Sequence, residues 1–367
     1  MSASRVFRAP GRVNLIGEHT DYNLGFVLPI ALELATEIET SPSSDGQLHI
    51  FSEHHQEVRT FDPSTLATTQ SQKHWSDYPI GVARELLSLG FALQPLHLTI
   101  RSTVPEGAGL SSSAALEVAT ALALLQGREL APLEIARLCQ RAESQFVGMP
   151  CGIMDQFVSV FGRQNSALRI DCRTLEADPV QLPAGAFIIA INSMVKHQLG
   201  DSAYRTRVAE CAEAAAALGG SSLRDATLDA LGLTPMADKP RHRAWHIVTE
   251  NDRVLRFVAA ARSGDLNEMG ELFLESHASM KADYEITCPE IDFLVETAAA
   301  LPGCYGARMT GGGFGGCTVN LVSSDAVDTF QSAITAAYQQ SYGITPAFYR
   351  CQPGPGAREI AKSAAGA

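Results

Sequence analysis

The sequence lacks the cysteine spacings and the long apolar runs that mark several classes of protein. Its eight cysteines are scattered, the closest pair lies 12 residues apart, and none forms a C-x-x-C or a Cys/His zinc spacing. No run of about 18 apolar residues occurs, and the first twelve residues hold no apolar core of the kind that a signal peptide needs. These absences argue against a cysteine-ligated zinc site and a membrane-spanning helix. We therefore expect a cytoplasmic protein whose thiols are reduced and buried.

Basic residues are also scarce. Lys and Arg number 28 against 40 Asp and Glu, which gives a formal net charge of −12. A surface of this sign repels nucleic-acid phosphates and anionic lipid, so we expect small-molecule partners and neither nucleic acid nor membrane. A bound phosphate group would have to be held locally by backbone N–H groups, by a metal ion or by a few placed arginines.

The length and the apolar pattern indicate two mixed halves. A chain of 367 residues, at roughly 100–200 per domain, corresponds to about two domains, and 46% apolar residues can form two cores. Strand-like and helical stretches, among them a helix over Leu133–Phe146, mix in the first half, and long Ala-rich helices follow Asn192. We place the boundary near residue 180, which gives domains 1–180 and 181–367 and an α+β fold.

One segment has the composition of a phosphate-binding loop. Pro105–Ala115, PEGAGLSSSAA, puts two glycines and three serines ahead of a predicted helix over Ser112–Gln126. The glycines allow close backbone approach, and the unpaired N–H groups of the first helical turn favour an anion. The chain has no G-x-x-x-x-G-K-[ST] motif, which argues against a Walker-type NTPase. An ordinary capped helix after a turn explains the same residues.

A second segment concentrates hydrogen-bond acceptors. Gly11–Gly25, GRVNLIGEHTDYNLG, contains Glu18, His19 and Asp21 within four residues. Such a cluster suits a polyol, because each sugar hydroxyl donates one proton and a carboxylate accepts two or more. A metal site uses the same residue types, and a solvated turn is a third interpretation.

Two further segments are unusual. In Gly148–Gly162, GMPCGIMDQFVSVFG, Asp155 stands alone among apolar residues. It is either the N-cap of a helix over Gln156–Phe161 or a carboxylate held in a dry pocket as a catalytic base. Met309–Cys317, MTGGGFGGC, packs five glycines into six positions, which allows close approach to a ligand but also fits a hinge or a turn.

Together, the four segments resemble the signatures of the GHMP small-molecule kinases, and GRVNLIGEHTDYN resembles that of the galactokinases within them. The resemblance runs from Arg8 almost to the C-terminus. It implies a ribosomal S5 domain 2-like N-terminal domain, a ferredoxin-like C-terminal domain and an active site in the cleft between them. The implied reaction is ATP-dependent phosphorylation of D-galactose at its anomeric (C1) hydroxyl, the first committed step of the Leloir pathway.

The resemblance also implies roles for individual residues, in a protein that we expect to be a monomer. Asp155, which would face the anomeric hydroxyl, and its neighbour Arg12 are the implied catalytic residues. The residues implied to hold the sugar are Glu18, His19, Asp21, Gly152 and Tyr204. Those implied to contact ATP are Ser52, Trp75, Gly107, Ala108, Gly109, Leu110, Ser111, Ser112 and Ser113. Ser113 and Glu143 are the implied contacts of Mg²⁺.

Three alternatives stay open at this point. The first is a kinase for a related sugar such as N-acetylgalactosamine or arabinose. The second is a sensor that binds galactose and ATP without catalysis, although the intact serine run 111–113 and Asp155 favour turnover. The third is a structural protein that binds no nucleotide.

Overall fold

The structure is a computed structural model that describes residues 4–196 and 200–361. Its strands are β1 (Arg5–Asn14), β2 (Phe26–Val27), β3 (Pro29–Pro42), β4 (Leu48–Ser52), β5 (Glu57–Phe61), β6 (Leu96–Ser102), β7 (Ser166–Asp171), β8 (Glu176–Gln181), β9 (Ala186–Lys196), β10 (Cys304–Thr310), β11 (Gly315–Ser323), β12 (Ala347–Cys351) and β13 (Arg358–Ile360). Its α-helices are α1 (Asp77–Ser88), α2 (Ser112–Leu125), α3 (Pro132–Arg141), α4 (Met154–Phe161), α5 (Gly200–Ala217), α6 (Leu228–Leu233), α7 (Asp238–Ser263), α8 (Leu266–Ser279), α9 (Pro289–Ala299) and α10 (Val327–Tyr342).

The strands form three sheets. The first has the order β13-β1-β3-β6-β4-β5, with β4 parallel to β6 and the other pairs antiparallel. The second, β10-β11-β9-β12, and the third, β2-β7-β8, are antiparallel throughout. This mixture of sheets and helices confirms the predicted α+β class. Because β13 returns from the C-terminal end to pair with β1, the division into 1–180 and 181–367 stays a prediction.

Helix α2 lies at the centre of the first half. It packs against β1, β3, α1, α3 and α4, and its small residues Ala114, Ala115, Ala119 and Ala123 are fully buried. Small side chains allow a close approach to these neighbours, and dense packing on every side holds the helix rigidly. The predicted helix over Ser112–Gln126 is confirmed to within one residue, and its N-terminus is fixed at the position where β1 ends.

The helix predicted over Leu133–Phe146 is wrong in its last turns. α3 ends at Arg141 and continues as a π-helical turn over Ala142–Val147, which stops at Gly148 with φ of +86°. The regular spacing of apolar residues carries no signal for this widening of the helix. π-helical turns occur frequently at functional sites, and here the turn contains Glu143.

The sequence predicts no membrane-spanning helix, and the length and apolar character of the helices in the structure test this prediction. Within residues 4–196 and 200–361, none of them combines the length and the apolar character that crossing a bilayer requires.

Candidate active site

A cavity of about 330 Å³ lies where the start of α2, the end of β1, the turn before α4 and the loop after β10 meet. Both halves of the chain contribute to it. The predicted residues that line it are Arg12, Glu18, His19, Asp21, Gly107, Gly109, Ser111, Ser112, Ser113, Glu143, Gly152, Asp155 and Tyr204, and Gly311, Gly312 and Gly313 border it from the second half. All four sequence segments therefore converge on one place.

A second cavity of about 380 Å³ adjoins the first and shares Gly107, Ser112 and Ser113 with it. The predicted nucleoside residues Ser52 and Trp75 line this second cavity. The Trp75 indole Nε1 donates to Glu57 at 3.0 Å, and its ring stacks on His55 with the ring centres 5.3 Å apart. The indole is thus fixed in orientation at the wall of the cavity.

The loop before α2 exposes backbone to the first cavity. Gly107, Gly109 and Ser111 adopt left-handed backbone with φ of +71°, +75° and +59°, so that alternate residues of the loop turn in the same unusual sense. The side chains of Ala108 and Leu110 are buried, so these two residues offer only their backbone to a ligand. No side chain caps α2, which leaves its first-turn N–H groups available for an anion. The alternative of an ordinary capped helix is therefore wrong.

Asp155 is held by Arg12. Strand β1 has a β-bulge between Pro10 and Arg12, and bulges commonly redirect side chains beside active sites. Nε and Nη2 of Arg12 donate to the two carboxylate oxygens of Asp155 at 2.8 and 2.7 Å. Nη1 donates to the Gly109 carbonyl at 2.6 Å. This two-point contact fixes the plane of the carboxylate and ties it to the loop before α2.

The serine loop also contacts Asp155 directly. The Ser111 hydroxyl donates to Oδ2 of Asp155, so this serine orients a carboxylate instead of capping its own helix. Asp155 itself lies in the first turn of α4 after Ile153 and caps nothing. The interpretation of Asp155 as the N-cap of a helix over Gln156–Phe161 is wrong.

Asp21 approaches the site through a gap that only glycine provides. A Cβ atom on Gly152 would lie 1.9 Å from Oδ2 of Asp21, far inside any allowed contact. Gly152 therefore makes room for the Asp21 carboxylate. The rings of His19 and Tyr204 pack on the same side of the cavity, with their centres 5.1 Å apart.

Glu18 is anchored by the second half of the chain. One carboxylate oxygen accepts from the Thr310 hydroxyl at 3.0 Å and from the Gly311 amide, and the other lies 3.4 Å from Nη2 of Arg308. Arg308 is fully buried and also lies 3.7 Å from Oε1 of Glu250. Glu250 in turn accepts from the Gly17 amide at 2.9 Å. Neither Arg308 nor Glu250 lies in one of the four sequence segments, and their contacts with Glu18 and Gly17 join residues more than 200 positions apart.

Four acidic residues line the cavity, Glu18, Asp21, Glu143 and Asp155, and the charge of Asp155 acts on two of the others. Burial raises the pKa of Asp21 to about 7, and the charge on Asp155 adds to the effect. Burial and Asp155 likewise raise the pKa of Glu143 to about 7. A site with this excess of acceptors favours ligands that bring protons or positive charge.

Behind Glu143 lie two buried residues, Gln156 and Glu117, to which no role was predicted from the sequence. Nε2 of Gln156 donates to Glu143 at 2.6 Å and to Glu117 at 3.0 Å. Burial, followed by the charge on Glu143, raises the pKa of Glu117 well above its ordinary value. The available signal was a glutamate inside the otherwise apolar helix α2, four residues after Ser113.

Ser113 and Glu143 are the two residues that we expect to contact Mg²⁺. Ser113 lies close enough to Glu143 for its hydroxyl to lower the pKa of that carboxyl, and both residues line the first cavity. In the part of the chain that the structure describes, no three His, Cys, Asp or Glu side chains are arranged to hold a metal ion by themselves. An ion at this place would therefore depend on further oxygen atoms from a ligand.

A small-molecule kinase needs a helix N-terminus that is free to bind phosphate, next to acceptors for the hydroxyl groups of its substrate. Two family models match the chain around this site. The GHMP kinases N terminal domain matches residues 77–163 and the GHMP kinases C terminal domain matches residues 257–340. Fold and site thus define a kinase of the GHMP class. A galactokinase galactose-binding signature also matches, over residues 2–42.

Individual proteins narrow the assignment. The chain is 43% identical to the galactokinase of Roseiflexus sp. (strain RS-1) over 370 residues, which is 98% of this chain and 94% of that protein. The crystal structure of Lactococcus lactis galactokinase complexed with galactose superposes with a TM-score of 0.91 at 35% identity, over 98% of this chain and 96% of that one. The chain belongs to the galactokinase family. Methanococcus jannaschii mevalonate kinase, 15% identical with a TM-score of 0.71 over 96% and 99% of the two chains, shares the fold.

Proposed function

We propose that this protein transfers the γ-phosphoryl group of ATP to the anomeric hydroxyl of D-galactose and so produces galactose 1-phosphate. The observation that carries the proposal is the link between Asp155 and the loop before α2. Through Arg12 and Ser111, one carboxylate and one anion-binding helix terminus are fixed side by side in a single cavity. The similarity to a galactokinase that binds galactose supports the choice of sugar.

In this mechanism Asp155 orients the reacting hydroxyl first and accepts its proton afterwards. The Arg12 guanidinium fixes both carboxylate oxygens of Asp155, and an aspartate is in general too weak a base to remove a proton from a neutral sugar hydroxyl in advance. Phosphoryl transfer passes through a loose transition state, so the proton need leave only as the new O–P bond forms. Arg12 also places positive charge next to the transferring group, where it stabilises the transition state.

The loop 107–113 holds the phosphates in this proposal. Backbone N–H groups at the start of α2 donate to the phosphates. Such local donors are needed because the acidic surface of the protein repels phosphate groups. The Ser113 hydroxyl and the Glu143 carboxylate are hard oxygen ligands, which fits Mg²⁺, an ion commonly bound by one or two carboxylates together with substrate phosphates. When bound, Mg²⁺ supplies charge that offsets the phosphates.

The remaining binding residues are assigned to the sugar or to the nucleoside according to the cavity that they line. Ser52 and Trp75 hold the nucleoside in the second cavity, and the sugar hydroxyls meet Glu18, His19, Asp21 and Tyr204 in the first. We place the protein in the cytoplasm as a monomer with domains 1–180 and 181–367. The free state of all eight cysteines supports that compartment.

The test is a panel of free sugars in an ADP-release assay with Mg-ATP. We expect galactose to give the highest kcat/KM, above N-acetylgalactosamine and arabinose, and Asp155→Asn to abolish most of the signal. Faster turnover of another sugar would change the substrate. Calorimetric binding of galactose without ADP release would favour a sensor.

A further inference from the structure

A chain of hydrogen bonds leads from His19 away from the cavity and into the core. Nδ1 of His19 lies 2.9 Å from the Tyr22 hydroxyl, which lies 2.7 Å from the Tyr284 hydroxyl. The Tyr284 hydroxyl lies 3.0 Å from Sγ of Cys211. His19 lines the cavity, whereas Tyr22, Tyr284 and Cys211 are not among the described residues that line it. The hydrogen-bond chain therefore connects these three residues to the cavity through His19.

His19 carries a single ring proton at neutral pH. Burial, together with the nearby His246, lowers the pKa of His19 to about 3, so the ring stays neutral. The neutral ring has one N–H, on Nδ1 or on Nε2, and the other nitrogen accepts. Nε2 is buried and has no hydrogen-bond partner among the described residues. The position of the proton therefore decides whether His19 can donate to a ligand through Nε2 or accept from it.

The acceptor strengths along the chain decide this position. Tyr284 has one hydroxyl proton and two neighbours, the oxygen of Tyr22 and the sulfur of Cys211, and sulfur is the weaker acceptor. The proton of Tyr284 therefore points to Tyr22, and the proton of Tyr22 points to the basic Nδ1 of His19. Burial raises the pKa of Cys211 to about 11, so its thiol keeps the proton that it donates to Tyr284.

A neighbouring histidine does not compete for this chain. The ring of His246 packs against Tyr284 with the ring centres 4.5 Å apart. Its two nitrogens are bonded elsewhere, Nδ1 to the Ser279 hydroxyl at 3.0 Å and Nε2 to the Glu18 carbonyl at 3.2 Å. His246 therefore does not enter the chain of hydrogen bonds from Cys211 through Tyr284 and Tyr22 to His19.

We propose that Cys211, Tyr284 and Tyr22 are positioning residues that hold His19 in the tautomer with its proton on Nε2. His19 then presents a hydrogen-bond donor to a sugar hydroxyl oxygen, in a site where the carboxylates of Asp21 and Asp155 supply acceptors. This use of the tautomer for sugar recognition rests on the proposed function, whereas the tautomer itself does not.

The test reads the tautomer by NMR in the ligand-free, full-length protein labelled with ¹⁵N-histidine. Long-range ¹H–¹⁵N correlations distinguish the two ring nitrogens, and the loss of one set of signals in His19→Asn assigns the residue. We expect a protonated Nε2 and an Nδ1 that accepts a hydrogen bond. A proton on Nδ1 in the unaltered protein would overturn the proposal, whatever the enzyme phosphorylates.

Variants separate the chain from ordinary packing. In Tyr22→Phe we expect the Nδ1 resonance to move to the position of an unbonded nitrogen, and the KM for galactose to rise about 3- to 10-fold with little change in kcat, as for the loss of one hydrogen bond. Cys211→Ser replaces a weak acceptor by a strong one, which should draw the Tyr284 proton away from Tyr22 and weaken both readouts.

The matched control is Tyr338→Phe, which removes another buried hydroxyl, one that donates to the Ser193 carbonyl at 2.9 Å away from the chain. It should leave the His19 signals and the KM unchanged. Unchanged His19 signals in Tyr22→Phe would overturn the role of the chain. Activity is not needed for this decision, so a failure to phosphorylate galactose remains a separate result.

Discussion

Replacing Asp21 by asparagine is expected to stabilise the folded protein at pH 8 while weakening its affinity for the sugar. The carboxylate of Asp21 packs directly against Gly152. It also lies close enough to Asp155 to be repelled by that negative charge. Without a ligand, the folded state therefore holds an anion in an unfavourable place. Asparagine keeps the shape and removes the charge.

The size of the effect follows from the pKa. For Asp21 it rises from 3.8 in the unfolded chain to about 7 in the folded protein. At about 1.4 kcal/mol for each tenfold change in proton affinity, this corresponds to an upper limit of about 4 kcal/mol. The variant also weakens the hydrogen bond that the carboxylate receives from the Tyr22 backbone, so we expect a net gain of about 1–3 kcal/mol.

The raised pKa of Asp21 also determines how the stability difference between the variant and the unaltered protein changes with pH. An acid whose pKa is raised on folding binds its proton more tightly in the folded state, so its contribution to stability is greatest below pH 3.8 and is lost as the pH rises through about 7. In thermal unfolding from pH 4 to pH 8, Asp21→Asn should gain a margin over the unaltered protein that grows up to about pH 7 and is then constant.

The control is Asp62→Asn. Asp62 is exposed and its pKa is lowered by the Ser64 hydroxyl, so this variant should show no gain at pH 8. In kinetics, Asp21→Asn should raise the KM for galactose roughly 10- to 150-fold, the range for a hydrogen bond to a charged acceptor, with a smaller effect on ATP. A variant that is less stable than the unaltered protein at pH 8, or a margin that does not change with pH, would refute the reasoning.

Three further substitutions test other parts of the site. Asp155→Asn should lower kcat by about 10²–10⁴ with little change in the KM for galactose, and near-normal turnover would reject its proposed role. Gly152→Ala places a methyl group against Asp21 and should raise the KM for galactose in steady-state assays, and an equal rise for ATP would contradict this. Glu250→Gln removes the buried charge that pairs with Arg253 at 2.7 Å and lies 3.7 Å from Arg308, and it should lower the free energy of unfolding by about 3 kcal/mol in urea. A change below about 1 kcal/mol would show that this buried charge is dispensable.

Much of the site could be predicted because its chemistry is local in the chain. The loop Pro105–Ala115 contains both the glycines that allow left-handed backbone and the serines at the start of α2. The left-handed backbone at Gly107 and Gly109 follows from that composition, whereas the left-handed backbone at Ser111 does not. In the same way, the acceptors Glu18, His19 and Asp21 lie within four residues, so their proximity is a property of the segment itself.

The errors come from interactions that the local sequence does not encode. Asp155 is a good N-cap by composition, yet its partner is Arg12, 143 residues earlier, and a fork of two charged hydrogen bonds is stronger than a cap. The π-helical turn that carries Glu143 has the composition of an ordinary α-helix. Glu117 was visible only as an acidic residue within an apolar helix and Arg308 stood out in no pattern, because the role of a buried charge is recognised only when its partners are known.

The sequence by itself determined which chemical groups this protein can use: an anion-binding helix start, a cluster of acceptors and one isolated carboxylate. Each of these depends on residues that are neighbours along the chain, where backbone preference and hydrogen-bonding capacity act directly. Only the tertiary structure decided how they work together, because the bulge in β1, the packing of α2 and the hydrogen bonds across the two halves bring distant residues within about 3 Å. Burial at that meeting point raises the pKa values of Asp21 and Glu143, and burial is a property of the fold.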